Sequence, residues 1–270
     1  MIDVRRGVDR FRTVAPGLDS RHSFSYGSHY DPDNLGFGVL MAHNEDRLAA
    51  GAGFDRHPHR GIDVVTWVLS GTLEHEHWAD PDSTGPHPTG DIASGGRDRL
   101  PAGTAQVLRT GTGVSHAEHA AVGRPGAHYV QMWLASAAPD TGAAYESNDF
   151  TDDLTAAAAD GPPRAVTVAS GRPGPPRGGP GPGSGSGPGS GSALTLSQPG
   201  AALAVARLPA GAVIEVAGAP LGHVFLARGA AVLADGTPLA AGDAVRLTGA
   251  PALELRAVES SEVLVWQLPH

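Results

Sequence analysis

Thirty-eight glycines and 23 prolines punctuate this 270-residue chain and cut most of it into short apolar runs rich in Val, Leu, Ala and Thr. Short runs bounded by such residues suit β-strands and leave little room for helices. The clearest strand candidates are Val64 to Leu69, Thr72 to His77, Ala105 to Arg109, Tyr129 to Leu134, Val213 to Val216, Val224 to Ala227 and Val263 to Leu268. Ser70-Gly71, Asp235-Gly236 and Ala241-Gly242-Asp243 place glycine where a turn needs positive φ. The best short helix candidate is Asp149 to Asp160, an acidic opening followed by alanines.

A plan of strand, glycine, strand, then an AGT or AGD turn before another strand occurs twice. It reads WVLSGTLEHEH with PAGTAQV in the first half and FLARGAAVLADG with AAGDAVRL in the second. A duplicated β-barrel explains the recurrence, and the length allows two domains, each with its own core. Between the copies lies Gly171 to Ser192, built only from Gly, Pro, Ser and Arg. Nothing in it offsets the entropy of ordering, so a flexible insertion is expected, with a proline-rich docking segment as the alternative.

The chain has no cysteine, which excludes disulfides, thiolate metal sites and cysteine nucleophiles. Any metal must sit on nitrogen and oxygen. A net charge of -9 and a pI of about 5.7 oppose nucleic acid or an anionic membrane as partner, since both demand a basic patch. No run approaches the roughly 18 apolar residues of a membrane helix, and the first residues are arginines and aspartates around no apolar leader core. A cytoplasmic monomer is expected.

The histidines carry the chemistry. In an extended chain alternate side chains share a face, so His57 and His59 project together while Pro58 faces away. The same period pairs His116 with Glu118. On neighbouring strands of one barrel the four groups can close on a single ion, a three-His, one-carboxylate set suited to a divalent transition metal: Fe, Mn, Ni, Cu, Co or Zn. Four protein ligands leave two positions open on an octahedral ion. An HxH pair alone is often a surface feature of β-proteins, and a second set competes: His75 and His77 also alternate, with Glu74 and Glu76 on the opposite face. A surface place, or one beside the ligands, is expected for that pair. Tyr129, Gln131 and Trp133 share one strand face near the site or in the core, and His43 and Arg60 are possible neighbours.

Three stretches, HPHRGIDVVTWVLSGTLEHEHW, LPAGTAQVLRTGTGVSHAEHA and HYVQMWL, together with the earlier SFSYGSHYDPDNLGFGVL, resemble the signature of the pirin family. The resemblance is close over residues 1 to about 135 and loose beyond. It implies an all-β bicupin: two tandem double-stranded β-helix (jelly-roll) barrels, a metal-binding domain over 1–135 and a metal-free cupin domain over 136–270 that contains the 171–192 insertion. It implies a metal on His57, His59, His116 and Glu118, most often iron. The glutamate that cupins place after HxH is here Asp63, which is left out of the set. His223, in the second half, is read as structural.

Two functions follow from the resemblance. One is a quercetin 2,3-dioxygenase-like oxygenase, with O₂ and a flavonol-type small molecule as substrates and Glu118 as the catalytic base. The other is a non-catalytic, redox-sensing metal protein that regulates a protein partner. A metal that merely staples the barrel is the third possibility.

Overall fold

The computed structural model describes residues 1–79, 92, 95–159, 161–172, 192–250 and 252–270, so residues 173–191 of the insertion lie outside the described residues. The chain divides into two compact units. One comprises Asp9–Asp149 with Leu196–Pro199 and His270; the other comprises Met1–Val8, Phe150–Thr195 and Gly200–Pro269.

In the first unit a seven-stranded sheet runs in the order β12 (Ala144–Asp149), β9 (Thr104–Arg109), β6 (Ile62–Ser70), β11 (Ala127–Ala135), β4 (Leu40–Leu48), β3 (Leu18–His22) and β2 (Phe11–Ala15). A four-stranded sheet runs β5 (Gly53–His59), β10 (Val114–Ala120), β7 (Thr72–Ala79) and β8 (Gly96–Pro101). Leu48, Val68 and Tyr129 from the larger sheet pack with Leu73, Leu100 and Ala120 from the smaller in one buried cluster. Residues 136–149 belong with this unit because β12 pairs with β9 along its whole length.

The second unit repeats the plan. Its larger sheet runs β1 (Ile2–Arg5), β20 (Ala244–Thr248), β17 (Leu221–Arg228), β22 (Ser261–Leu268), β15 (Ala202–Leu208), β13 (Val166–Ser170) and β14 (Leu194–Thr195). Its smaller sheet runs β16 (Val213–Val216), β21 (Leu253–Ala257), β18 (Ala230–Leu233) and β19 (Pro238–Ala240). The central order β9-β6-β11-β4 of the first unit matches β20-β17-β22-β15 of the second, and β5-β10-β7-β8 matches β16-β21-β18-β19. The chain is therefore all-β and internally duplicated, as its repeated phrases imply.

Local chemistry explains where strands stop. Gly71, between β6 and β7, has φ of 76°, and a Cβ there would strike the carbonyl of Gly126. Gly236, after β18, has φ of 86° and closes a turn by donating to the Leu233 carbonyl. A short helix, α1 (Thr151–Ala159), opens with Asp152 and Asp153, which favour its positive end, and buries Leu154 and Ala157. Among the described residues no helix is long and apolar enough to cross a membrane.

Candidate metal centre

The site is built on β10, which lies between β5 and β7. In register, His116 stands opposite His57 on one side and His77 on the other, and Glu118 stands opposite His75. The β5 register shifts between His116 and Glu118, so Glu118 faces Phe54 there. Period two turns His57 and His59 to one face and leaves Pro58 exposed between them. A proline is tolerated because β5 is an edge strand.

Donor atoms of His57, His59 and His116 all lie within 4.8 Å of one another, with ring centroids 4.5 Å apart for His57–His116 and 4.8 Å for His59–His116. A second group meets the same limit: His75, His116 and Glu118. The three imidazoles read as one cluster thus converge, while Glu118 groups with His116 and with His75 from β7.

These residues are chemically prepared for a metal. The His57 Nδ1–H donates to the Asp55 carbonyl at 2.7 Å, which leaves Nε2 as its donor atom. His59 is pushed down to about 4, first by burial and then by the neighbouring His57. His116 is pushed down to about 3, chiefly by burial. Both are neutral imidazoles near pH 7. Nε2 of His59 and both ring nitrogens of His116 are buried without a hydrogen-bond partner, a costly state that a bound ion relieves. The donor set fits a divalent transition metal.

Glu118 is 1% exposed. Burial alone would raise its carboxyl, but His116, His75 and the Gln131 amide outweigh burial and hold it below the usual carboxylate range. Gln106 donates to Oε1 at 2.8 Å and Gln131 to Oε2 at 2.6 Å. Behind them, Tyr145 donates to the Gln106 oxygen at 3.2 Å and Trp133 to the Gln131 oxygen at 3.1 Å. Trp133 also meets His59 edge-on at 4.8 Å.

A cavity of about 210 Å³ opens onto His57 and Glu118, lined also by Ser20, His22, Tyr26, Asn44, Asp46, Phe54 and Gln131. Asp46 accepts a hydrogen bond from Ser20, and burial, followed in effect by repulsion from Glu118, pushes its carboxyl up to about 7 despite that bond. His22 and Tyr26 stack at 4.8 Å.

Several expectations need correction or placing. Of the two places expected for His75 and His77, the surface is ruled out at 0% and 2% exposure and the place beside the expected ligands is the one observed, because β7 pairs with β10 and sets His75 opposite Glu118 and His77 opposite His116. Asp63 accepts the Ser197 N–H at 2.6 Å. Arg60 donates to the Thr112 carbonyl, His43 meets Ser23 at 3.3 Å, and neither lines the cavity. Tyr129 sits in the core cluster. Sequence reading missed Gln106, Asn44, Asp46 and Tyr145. For Gln106 the available signal is a polar residue within an apolar strand, TAQVLR, whereas AHNEDRL has no apolar pattern against which Asn44 or Asp46 would stand out.

Two barrels of one topology, the first carrying a buried His/Glu group able to hold a metal, define a bicupin. A family model described as Pirin matches residues 4–134, and one described as Quercetinase C-terminal cupin domain matches residues 185–268. A Mycobacterium tuberculosis protein named "Putative quercetin 2,3-dioxygenase" is 38% identical over 267 residues, covering 99% of this chain and 95% of that protein. The Escherichia coli quercetin 2,3-dioxygenase is 34% identical over 134 residues, 50% of this chain and 52% of that one. The structure of the bacterial pirin YhhW from Escherichia coli in complex with nickel(II) matches with a TM-score of 0.76 at 25% identity, covering 100% of this chain and 99% of that one. A quercetin 2,3-dioxygenase structure from Acinetobacter baumannii shares the fold, with a TM-score of 0.68 at 19% identity over 99% of this chain and 86% of that one. The chain belongs to the pirin family.

Proposed function

We propose that this pirin is a metal-dependent dioxygenase of the quercetin 2,3-dioxygenase kind. In this reading His57, His59, His116 and Glu118 hold one divalent transition metal, iron foremost, and the cavity takes a flavonol-type substrate with O₂. The observation that carries the reading is the cavity itself, which ends on His57 and Glu118 and so brings a small molecule to the donor set. The full-length likeness to a relative of that name supports it.

A divalent ion in this set supplies Lewis acidity toward adjacent substrate oxygens and a redox centre for O₂. The chain's own residues do the rest. Burial keeps His59 and His116 unprotonated, so their lone pairs are available. Glu118, ionised and fixed by two amides, is the acceptor for the substrate hydroxyl proton at a carboxylate oxygen. Asn44, Asp46 and Gln131 offer hydrogen bonds to substrate oxygens, and Tyr26 and Phe54 offer apolar walls. At about 210 Å³ the cavity is smaller than the roughly 300–1,000 Å³ that encloses a drug-sized ligand. It therefore admits the oxygen-bearing end of a flavonol rather than the whole molecule.

Metal-free protein reconstituted separately with iron, manganese, nickel and copper, then given quercetin in air, tests the reading. At least one form should consume O₂ and release carbon monoxide, and Glu118→Gln should slow that form by roughly 10²–10⁴-fold. No consumption by any form would sink it.

A further inference from the structure

His75 has no part in the donor set described above, yet it is poised like a ligand. Its ring is 0% exposed, Nε2 lacks a hydrogen-bond partner, and Nδ1 has only a long approach to Glu118, whose carboxyl it helps to hold down. Leaving such a group idle in the interior is costly. The ring stacks on Tyr145 at 4.8 Å and 9°, and Tyr145 is itself fixed through its hydroxyl to Asp98 at 3.0 Å and Gln106 at 3.2 Å. So held, His75 Nδ1 stands 3.6 Å from Glu118 Oε1, beyond hydrogen-bond range. His116 Nδ1 stands 3.9 Å from the same oxygen.

Those separations have a chemical meaning. Two donors each about 2.1 Å from a tetrahedral ion lie about 3.4 Å apart. The His75–Glu118 and His116–Glu118 gaps exceed that only by tenths of an ångström, and small side-chain rotations close them. We propose that His75, His116 and Glu118 form a second, inner position for a divalent transition metal, which overlaps the outer position so that a single ion occupies one or the other.

Joint occupancy is opposed by electrostatics, because two dications would share one buried carboxylate. The two positions also differ in access. His75 does not line the cavity, whereas His57 and Glu118 do. An ion drawn inward has three protein ligands, which leaves one position of a tetrahedral zinc ion for water. The inference stands apart from the dioxygenase reading, since it concerns where an ion binds and not what it catalyses.

Zinc titration of the metal-free full chain against a chromophoric chelator tests it, with binding as the readout. His57→Ala/His59→Ala should still take up one equivalent. Adding His75→Ala to that pair should weaken binding by more than the roughly 10–100-fold that loss of an outer hydrogen-bond partner costs. A double variant with native circular dichroism that binds no zinc overturns the proposal, as does one whose binding ignores His75. Should these variants fail to fold, anomalous scattering from wild-type crystals grown with zinc decides. A peak among His75, His116 and Glu118 supports the inner position, and a peak only among His57, His59 and His116 overturns it. Failure of quercetin turnover would touch the dioxygenase reading alone.

Discussion

Glu45 shows how a single side chain on an inward strand can be costly and stabilising at once. It is 3% exposed, and it accepts from Arg10 at 2.7 Å and pairs with Arg47 at 2.7 Å and His128 at 2.8 Å. Burial alone would raise its carboxyl, but the His128 hydrogen bond and the charges of Arg10 and Arg47 outweigh burial and hold it at about 2. A carboxyl depressed by folding stabilises the native state above its unfolded value, near 4.5, and that contribution is lost as pH falls through about 2. Glu45→Gln should therefore cost about 3 kcal/mol at pH 7. Urea unfolding of the metal-free protein should show the gap between wild type and variant closing below about pH 3, and a gap constant with pH contradicts the assignment. The same residue scale marks the limit of sequence reading. HPH and HAE declare themselves because two ligand-type residues alternate on each of two segments. His75 and His77 alternate just as well, yet only the pairing of β7 with β10 buries them, and that pairing joins segments about forty residues apart.

At the level of elements, strands were legible wherever alternation and a turn residue coincided. Val213–Val216 is the strand expected, β6 extends its candidate to Ile62–Ser70, and α1 lies within Asp149 to Asp160. Strand β4 is not among the candidates, because buried polar residues hide its apolar pattern, and β5 is legible only as the extended His57-Pro58-His59 segment, since its proline and charged residues give no apolar alternation. The turns separate two costs of a side chain at positive φ. At Gly236 a Cβ meets nothing within 4 Å, so Gly236→Ala should cost only backbone strain, roughly 1–2 kcal/mol. At Gly71 the Cβ also collides with the Gly126 carbonyl, and the backbone must move. Gly71→Ala should cost clearly more than Gly236→Ala in denaturant unfolding. Equal costs would mean that the β6–β7 turn relaxes freely.

Across the whole molecule, the duplicated plan leaves an asymmetry that the N-terminus resolves. In the first unit β12 follows the last core strand and covers the edge of β9. The matching edge of β20 is covered by β1, which pairs Ile2 with Leu247 through Arg5 with Ala244. Nothing local in IDVR announces a partner some 240 residues away, so this pairing was invisible in the sequence. The strand is tied by more than its ladder: Gly7 N–H donates to Asp243 at 2.7 Å and Arg6 to the same carboxylate at 2.8 Å. Asp243 is 5% exposed, and its other donor is the Ala240 N–H. Deleting residues 1–8 strips this carboxylate of its charged partner and uncovers a strand edge prone to pairing with other chains. Because Arg6 is itself 40% exposed, its ion pair contributes at most about 1 kcal/mol. With the Gly7 bond and the β1 ladder also lost, the cost should reach about 2 kcal/mol, or roughly 4–8 °C in the melting of that unit. Calorimetry should show this transition falling while the zinc binding proposed for the other unit stays unchanged. A truncated chain that melts like the full one would mean that Asp243 finds water instead and that β1 is only an ornament on the edge of β20.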